Sequence, residues 1–352
     1  MPADLGVVAI GRNEGERLRQ CLESVVGRAA AVVYVDSGST DGSIALARAL
    51  GAEVVELDRS VPFTAARARN AGLERLLQLA PDLRFVQFVD GDCEVVTGWL
   101  DRARSELEAR PDMAVVCGRR RERYPERSIY NRLADLEWDT PVGEAKACGG
   151  DAMMRVATFL AVGGFNLTVT AGEEPELCQR LRHEGWLIVR VDADMAWHDS
   201  AILKYRQWWL RTIRSGYGGL DVTTRFRRGR DGLFIKQVRS ARLWAVGWPL
   251  LVIAGGGLGW HVGGPIVGLM SAGLLALTLP LQVLRLTRKI RSRVESPRVA
   301  LAYGALMVAA QWGHLLGQIL YLHDRVQGHH TRLIEYKLAV GCGRLASSPV
   351  AR

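Results

Sequence analysis

Two carboxylates one residue apart have the spacing with the clearest chemical use in this chain. Asp90 and Asp92 follow an apolar run at 85–89 that is typical of a buried strand, and Gly91 between them lets the backbone turn tightly. Mg²⁺ and Mn²⁺ take oxygen ligands and share them with substrate phosphates. The triplet therefore predicts a site for a divalent metal and its phosphates, with a plain solvated turn as the alternative.

The elements that must position these carboxylates alternate between strands and helices. Such alternation favours a parallel α/β sheet, in which ligands bind at the carboxyl ends of the strands. Asp36 ends the second predicted strand, so we expect it to face the same crevice as Asp90 and Asp92. The predicted strands lie at 5–10, 31–35, 53–57 and 85–89, and the predicted helices at 18–26 and 44–50.

Short motifs follow one another in a fixed order across roughly residues 5–220. They are Ala9–Glu14, Val35–Ser43, Ala66–Gly72, Phe88–Asp92, Gly149–Asp151, Val162–Phe165, Gly172–Leu177 and Trp197–His198. Each motif alone is weakly specific, but their order is strongly so. On these motifs the chain resembles family 2 glycosyltransferases. The resemblance implies a Rossmann-like, nucleotide-sugar-binding domain of the GT-A fold.

The resemblance also implies roles for individual residues. Asp36 would contact the base or ribose of a nucleotide-sugar, and Asp90 would lie near the ribose. Asp92 would bind the Mg²⁺ or Mn²⁺ that bridges the two phosphates. His198 matches a position that often completes the metal shell, with a structural histidine as the alternative. The other residues assigned to the donor site are Arg12, Asn13, Glu14, Arg67, Asn70, Gly91 and Asp151.

The same resemblance places the catalytic base at Glu174. Most members carry Asp there, after a Glu, whereas this chain has Glu173 and Glu174 in sequence, so either the base shifts or Glu173 shares its role. A single base without a second nucleophile suits direct displacement with inversion. Arg67 and Arg69 are candidates for neutralising the leaving diphosphate, with a solvated helix face as the alternative.

The carboxyl-terminal third has the composition of a membrane region. Residues 243–284 and 299–322 contain no Asp, Glu, Lys or Arg. One span needs about 20 apolar residues, and the glycines before Pro265 predict a break inside the first run. The predicted transmembrane helices are 243–260, 262–284 and 299–322.

Three polar residues interrupt the last of these helices, at Gln311, His314 and Gln318. We favour hydrogen bonds between helices for them over the alternative, in which they line an acceptor groove. An aromatic and basic helix at 202–217 suits the membrane interface, where a lipid-linked acceptor would approach. An ordinary helix covering the sheet is the alternative for that segment.

Basic clusters orient the chain in the membrane. They lie in a predicted juxtamembrane linker at 221–242 and between the second and third helices at 285–298. By the positive-inside rule both clusters are cytoplasmic. We therefore predict a multi-pass plasma-membrane or inner-membrane protein with a cytoplasmic catalytic domain at 1–220. The side on which the tail at 323–352 lies stays open.

Together these features predict an inverting, metal-dependent glycosyltransferase. It would move one sugar from a nucleotide-sugar to a lipid-linked acceptor, such as a polyprenyl-linked one, in polysaccharide or glycolipid assembly. The alternatives are transfer onto a growing polysaccharide or other glycan chain, and a non-catalytic membrane scaffold. The segment at 179–183 lacks the Trp of processive synthases and lies too close to Glu174, which favours single transfer.

Other classes fit less well. A nucleotidyltransferase would open with a glycine-rich basic loop, and a dinucleotide-binding protein with Gly-x-Gly-x-x-Gly; neither follows the first strand. The 46 basic residues outnumber the 37 acidic ones, but they crowd the membrane-flanking loops, so no nucleic-acid partner is expected.

Three further expectations concern the rest of the chain. The six cysteines have no zinc or Cys-x-x-Cys spacing, which predicts reduced thiols. No cleaved signal peptide is expected, because the sequence begins directly with a predicted strand and not with a basic and then apolar leader. Residues 119–149, including Trp138, Asp139 and Glu144, are expected to line the acceptor side.

Overall fold

The computed structural model describes residues 3–226, 232–294 and 296–328. Part of the predicted basic linker and most of the predicted tail, with Cys342, lie outside these residues. Within them, a sheet with flanking helices is followed by a long helix and then by a helical unit.

The described residues contain nine strands in one mixed sheet. The strands are β1 (Leu5–Gly11), β2 (Ala31–Asp36), β3 (Glu53–Glu56), β4 (Phe85–Asp90), β5 (Cys93–Val95), β6 (Met113–Glu122), β7 (Gly143–Glu144), β8 (Ala152–Arg155) and β9 (Leu187–His198). Their order across the sheet is β3-β2-β1-β4-β8-β6-β9-β5, with β7 beside β9.

The half of the sheet from β3 to β4 is parallel, as the alternation of elements predicts. Strand β1 lies between β2 and β4, with Gly11 level with Asp36 and Ile10 level with Asp90. Both carboxylates therefore emerge at the same edge. The other half departs from a purely parallel sheet, because β8 runs antiparallel to β4 and β6.

Helices cover the sheet and bury its apolar residues. They are α1 (Glu16–Val25), α2 (Ser43–Ala49), α3 (Ala65–Leu79), α4 (Trp99–Ala109), α5 (Ile129–Trp138), α6 (Val156–Ala161) and α7 (Glu173–His183). Val8 and Phe88 of the strands and Leu22 of α1 are fully buried in the resulting core. Each such side chain stabilises the fold by about 1.5–3 kcal/mol relative to an exposed one.

Five further helices follow in the described residues: α8 (Tyr205–Arg225), α9 (Ile235–Arg242), α10 (Trp248–Ala276), α11 (Thr278–Ile290) and α12 (Pro297–Gln327). By length and composition alone, two stretches qualify as candidate membrane spans, Ile235–Arg293 and Pro297–Gln327. Both leave large apolar side chains exposed, among them Ile253 and Ile319.

The first stretch is a helical hairpin, not a single rod. The backbone leaves the helical conformation at Gly263 and Gly264, inside the glycine-rich segment where the sequence predicts a break. The limbs then pack closely, because a Cβ on Gly256 would lie 3.1 Å from that of Ala272. Trp248 Nε1 donates a hydrogen bond to Thr278 Oγ1 across the hairpin, at 2.8 Å.

Helix α8 joins the sheet domain to the helical unit. It crosses α12 at glycines, and a Cβ on Gly216 or Gly317 would overlap the backbone of the other helix. Trp208 and Tyr217 are buried in this contact region, so these two aromatics of the predicted interface helix belong to the protein core. The predicted domain boundary at 220 falls inside α8, which continues to Arg225.

Candidate functional site

A cavity of about 790 Å³ opens at the carboxyl edge of the parallel strands and continues between α8, α9 and α12. Its strand end is lined by residues that the sequence predicts for the donor site or the base, namely Arg12, Asn13, Glu14, Asp90, Gly91, Asp92 and Glu173. Asp36, Arg67, Asn70, Asp151, Glu174 and His198 are predicted site residues that do not line it.

The buried Asp36 carboxylate organises a loop at the rim. Its Oδ1 accepts hydrogen bonds from the backbone N–H groups of Gly38 and Ser39, both at 2.8 Å. Oδ2 accepts one from the Tyr34 hydroxyl at 3.1 Å. Gly38 has φ +85°, a left-handed conformation that favours glycine. Asp36 therefore shapes the rim that carries Ser37, which lines the cavity.

Asn13 links this loop to the end of β1. Its backbone N–H donates to Ser39 Oγ at 2.9 Å, and its side-chain oxygen accepts from the Thr40 N–H at 2.7 Å. Arg12 lies over the Phe63 ring at 5.8 Å, and both line the cavity. An arginine and an aromatic ring at one rim suit a flat, anionic ligand such as a nucleotide.

Asp92 and His198 meet because β5 pairs with β9, which sets Cys93 opposite His198. Asp92 Oδ2 lies 3.1 Å from His198 Nε2, and both side chains are buried. Two adjacent ligands of an octahedral ion with bonds of about 2.1 Å lie about 3.0 Å apart, so the spacing fits a shared divalent metal. A carboxylate with an imidazole suits Mn²⁺ better than Mg²⁺.

The protonation states agree with this fit. Burial, followed by the charge of Arg120, lowers the pKa of His198 to about 4, so the imidazole is neutral near pH 7 and keeps a lone pair. Trp138 lies against the ring with centroids 4.8 Å apart. The Cys93 thiol also lies near Asp92, but burial raises its pKa well above 9.0, so it stays protonated in the absence of a metal.

Arg69 links the first aspartate to the candidate base region. Its guanidinium contacts Asp90 Oδ1 at 2.8 Å and Glu173 Oε1 at 2.7 Å, and it is buried. Burial by itself lowers the pKa of Arg69, but the two carboxylates outweigh burial and raise it. The cation therefore stays charged and fixes Asp90 and Glu173 relative to one another.

The two adjacent glutamates at the start of α7 face different surroundings. Glu173 lines the cavity beside Arg69. Glu174 points into the core, where its Oε1 accepts from the Cys148 N–H at 2.5 Å and from the Cys178 thiol at 3.0 Å. Burial raises the pKa of Glu174. Of the pair, Glu173 is the carboxylate with access to a substrate.

Two predicted site residues, Asp151 and Asn70, have structural partners instead of open faces. Asp151 Oδ1 accepts from the Asp90 N–H at 2.9 Å, and its Oδ2 pairs with Arg120 at 2.8 Å. The Asn70 amide nitrogen donates a hydrogen bond to the Phe165 carbonyl, and its amide oxygen accepts one from the Phe165 N–H. These two residues hold loops beside the cavity.

Arg67 donates to the backbone carbonyls of Asp58 and Val61, at 3.0 and 2.8 Å. Its neighbour Arg69 contributes the cation at the cavity. The predicted phosphate-side pair is thus divided between two faces of α3, since residues two apart in a helix do not share a face.

The predicted acceptor segment contributes Glu137 to the lining, next to Arg211 of α8, whose guanidinium donates to it at 2.8 Å. Trp138 packs on His198, as described above. Asp139 forms ion pairs with Arg293 at 2.8 Å and with Arg190 at 3.6 Å. It therefore ties α5 to the segment that follows the hairpin.

The helical end of the cavity was not predicted in detail from the sequence. We call it the helical arm; it is lined by Arg211, Thr212, Arg214, Ser215, Phe234, Gln237, Met307, Ala310 and His314. His314 lines the arm and also lies 3.3 Å from the Gln237 amide. Gln318, by contrast, accepts from Arg242 and donates to the Val238 carbonyl, an interhelical role as predicted. Gln311 donates to the Met307 carbonyl in its own helix.

Comparison with known proteins agrees with this geometry. Residues 7–159 match the family model "Glycosyl transferase family 2". A TPR repeat-containing protein of Synechococcus elongatus is 27% identical over 139 residues, which cover 40% of this chain. This chain spans about a third of that relative's length, 32%.

Two solved structures share the fold. A mannosyltransferase from Pyrobaculum calidifontis, PcManGT, solved with GDP-Man and Mn²⁺, superposes with TM-score 0.53 at 17% identity over 92% of this chain and 88% of its own. GalNAc-T7, solved with UDP, GalNAc and Mn²⁺, gives TM-score 0.50 at 14% identity over 69% and 51%.

The sheet, the ordered motifs and the family match define a glycosyltransferase domain of the GT-A fold. Within it, residues 7–159 are similar to glycosyltransferase family 2.

Proposed function

We propose that this chain transfers one sugar, with inversion, from a nucleotide-sugar to a lipid-linked acceptor at the cytoplasmic membrane face. The observation that carries the proposal is the continuous cavity. One end holds Asp92 and Glu173, and the other reaches Met307 on a helix apolar enough to cross a membrane. A polar donor and an amphiphilic acceptor can thus enter one space from two sides.

The residues at the strand end divide the chemistry between them. Asp92 and His198 would hold a divalent metal, which supplies charge neutralisation for the leaving diphosphate when bound. Glu173 accepts the proton of the acceptor nucleophile, and Arg69 sets its orientation. PcManGT and GalNAc-T7 were both solved with Mn²⁺ and a nucleotide or nucleotide-sugar, which supports the same assignment here.

The test is nucleoside diphosphate release by the full chain in lipid nanodiscs. A panel of nucleotide-sugars is supplied with Mn²⁺ or Mg²⁺, with and without a total lipid extract. We expect one donor to support release that needs both the metal and the lipid fraction, with the sugar recovered in that fraction. Donor binding without lipid-dependent release, and sugar recovered on soluble glycans instead, would contradict the lipid-linked acceptor.

A further inference from the structure

We propose that the helical arm binds the phosphate group of an acceptor lipid, with Arg214 as the cation that holds it. This proposal rests on the proposed function, and it assigns a chemical class to the acceptor. Arg214 lies on α8, half-buried, and its side chain lines the arm. Among the described residues it forms no hydrogen bond or ion pair.

The arm is rich in donors and poor in acids. Arg211 lies one helical turn before Arg214, on the same face, and pairs with Glu137, an acidic residue that lines the cavity next to the arm. Gln237 donates to Ser215 Oγ at 3.0 Å. The Arg214 guanidinium is partly removed from water, and the acid Glu137 is already paired with Arg211. Arg214 therefore favours binding of an anion in the cavity.

His314 supplies a second, independent observation. Its Nδ1 is buried without a hydrogen-bond partner in the described part of the chain, although the side chain lines the arm. Native proteins leave few buried polar groups unsatisfied, so such an atom needs an explanation. Rotation of the His314 ring toward the arm would bring this atom to a phosphate oxygen.

The neighbouring apolar residues identify the anion as part of an amphiphile. Met307 and Ala310 of α12 line the same arm, and α12 is a candidate membrane span. A ligand whose phosphate meets Arg214 would therefore have its apolar part along α12. Inorganic phosphate or a soluble phosphosugar offers the same charge without that part, so the test must separate these sources.

The arm also faces the base. Gly172, which precedes α7, and Gly218 of α8 both line the cavity. They pack closely, because a Cβ on Gly218 would lie 2.5 Å from the Ala171 carbonyl oxygen. This contact fixes the start of α7, and with it Glu173, against the helix that carries Arg214. A phosphate at Arg214 is thus held in the same cavity as the base.

The experiment measures binding of farnesyl phosphate to the full chain in detergent, with chelator present so that a metal at Asp92 holds no phosphate. Arg214→Gln is compared with Arg206→Gln, which removes the same charge from an exposed position on α8. We expect Arg214→Gln to weaken binding at least tenfold and Arg206→Gln to leave it unchanged. Farnesol and inorganic phosphate are expected to bind at least tenfold more weakly than farnesyl phosphate.

Equal binding by Arg214→Gln and the unmodified chain would overturn the proposal. So would farnesol or inorganic phosphate binding as tightly as farnesyl phosphate. Binding of a nucleoside diphosphate with Mn²⁺ verifies that each variant is folded, and Arg214→Lys is expected to bind with intermediate affinity. A donor panel without nucleoside diphosphate release would count against the proposed glycosyl transfer. The farnesyl phosphate measurements involve no transfer, so their outcome concerns the helical arm alone.

Discussion

The two ends of the cavity are organised by different physical means. At the strand end, Arg69 and Arg120 pair with carboxylates at the end of β4, at the start of α7 and in the loop before β8, so charge fixes the side chains. At the helical arm, close glycine contacts such as Gly216 with α12 fix the helices, and the Arg214 guanidinium lines the cavity without a hydrogen bond or ion pair among the described residues. Under the proposed function, the donor end is preorganised before substrate binds and the acceptor end is completed by its ligand.

The largest expected effect is at the strand end. Asp92→Ala should lower turnover by at least about 10³-fold, because a metal in such a site supplies several kcal/mol of charge stabilisation. Release of nucleoside diphosphate over a Mn²⁺ titration measures it. The melting temperature should stay close to that of the unmodified chain, and appreciable turnover that needs no added metal would contradict the metal assignment.

The adjacent glutamates give the next test. Glu173→Gln should lower kcat by at least about 10²-fold, as expected for loss of a general base. Glu174→Gln should instead reduce stability by about 1–3 kcal/mol, since its buried hydrogen bonds are disturbed. Parallel measurement of kcat and chemical denaturation separates the two roles. The reverse pattern would make Glu174 the base.

A glycine substitution tests the steric side of the comparison. Gly216→Ala should destabilise the contact of α8 with α12 by about 1–3 kcal/mol, because the added Cβ overlaps the His314 backbone. Gly257→Ala is the matched control, since a Cβ there meets no atom within 4 Å. Thermal unfolding in detergent compares them. Similar melting temperatures for the two variants would show that the glycine crossing is not needed.

The smallest expected effect is a pH dependence of stability. Burial raises the pKa of Glu174 in the folded chain above its ordinary value of 4.5, so the folded state binds more protons there than the unfolded state. Its contribution to stability is full below about 4.5 and is lost as the pH rises through the folded-state pKa. The melting temperature of Glu174→Gln should therefore fall less from pH 4.5 to 7 than that of the unmodified chain. If the melting temperatures of the two proteins changed equally with pH, the Glu174 carboxylate would be exposed to solvent.

Sequence motifs predicted the parallel strands and the edge at which Asp36 and Asp90 emerge, because strand alternation and strand ends are local properties. They did not predict which of Glu173 and Glu174 reaches the cavity. Adjacent helical residues point about 100° apart, so the orientation of α7 on the sheet decides which carboxylate reaches the cavity. The same argument separates Arg67 from Arg69.

The charge-free runs in the carboxyl-terminal third predict helices long enough to cross a membrane, and the glycines before Pro265 predict where the first run breaks. These follow from residue type and length alone. The tertiary structure decided that α12 packs on α8, that His314 lines the cavity and that Arg214 lies there without an acidic partner among the described residues. Such contacts join residues about a hundred positions apart, and no local pattern records which faces meet.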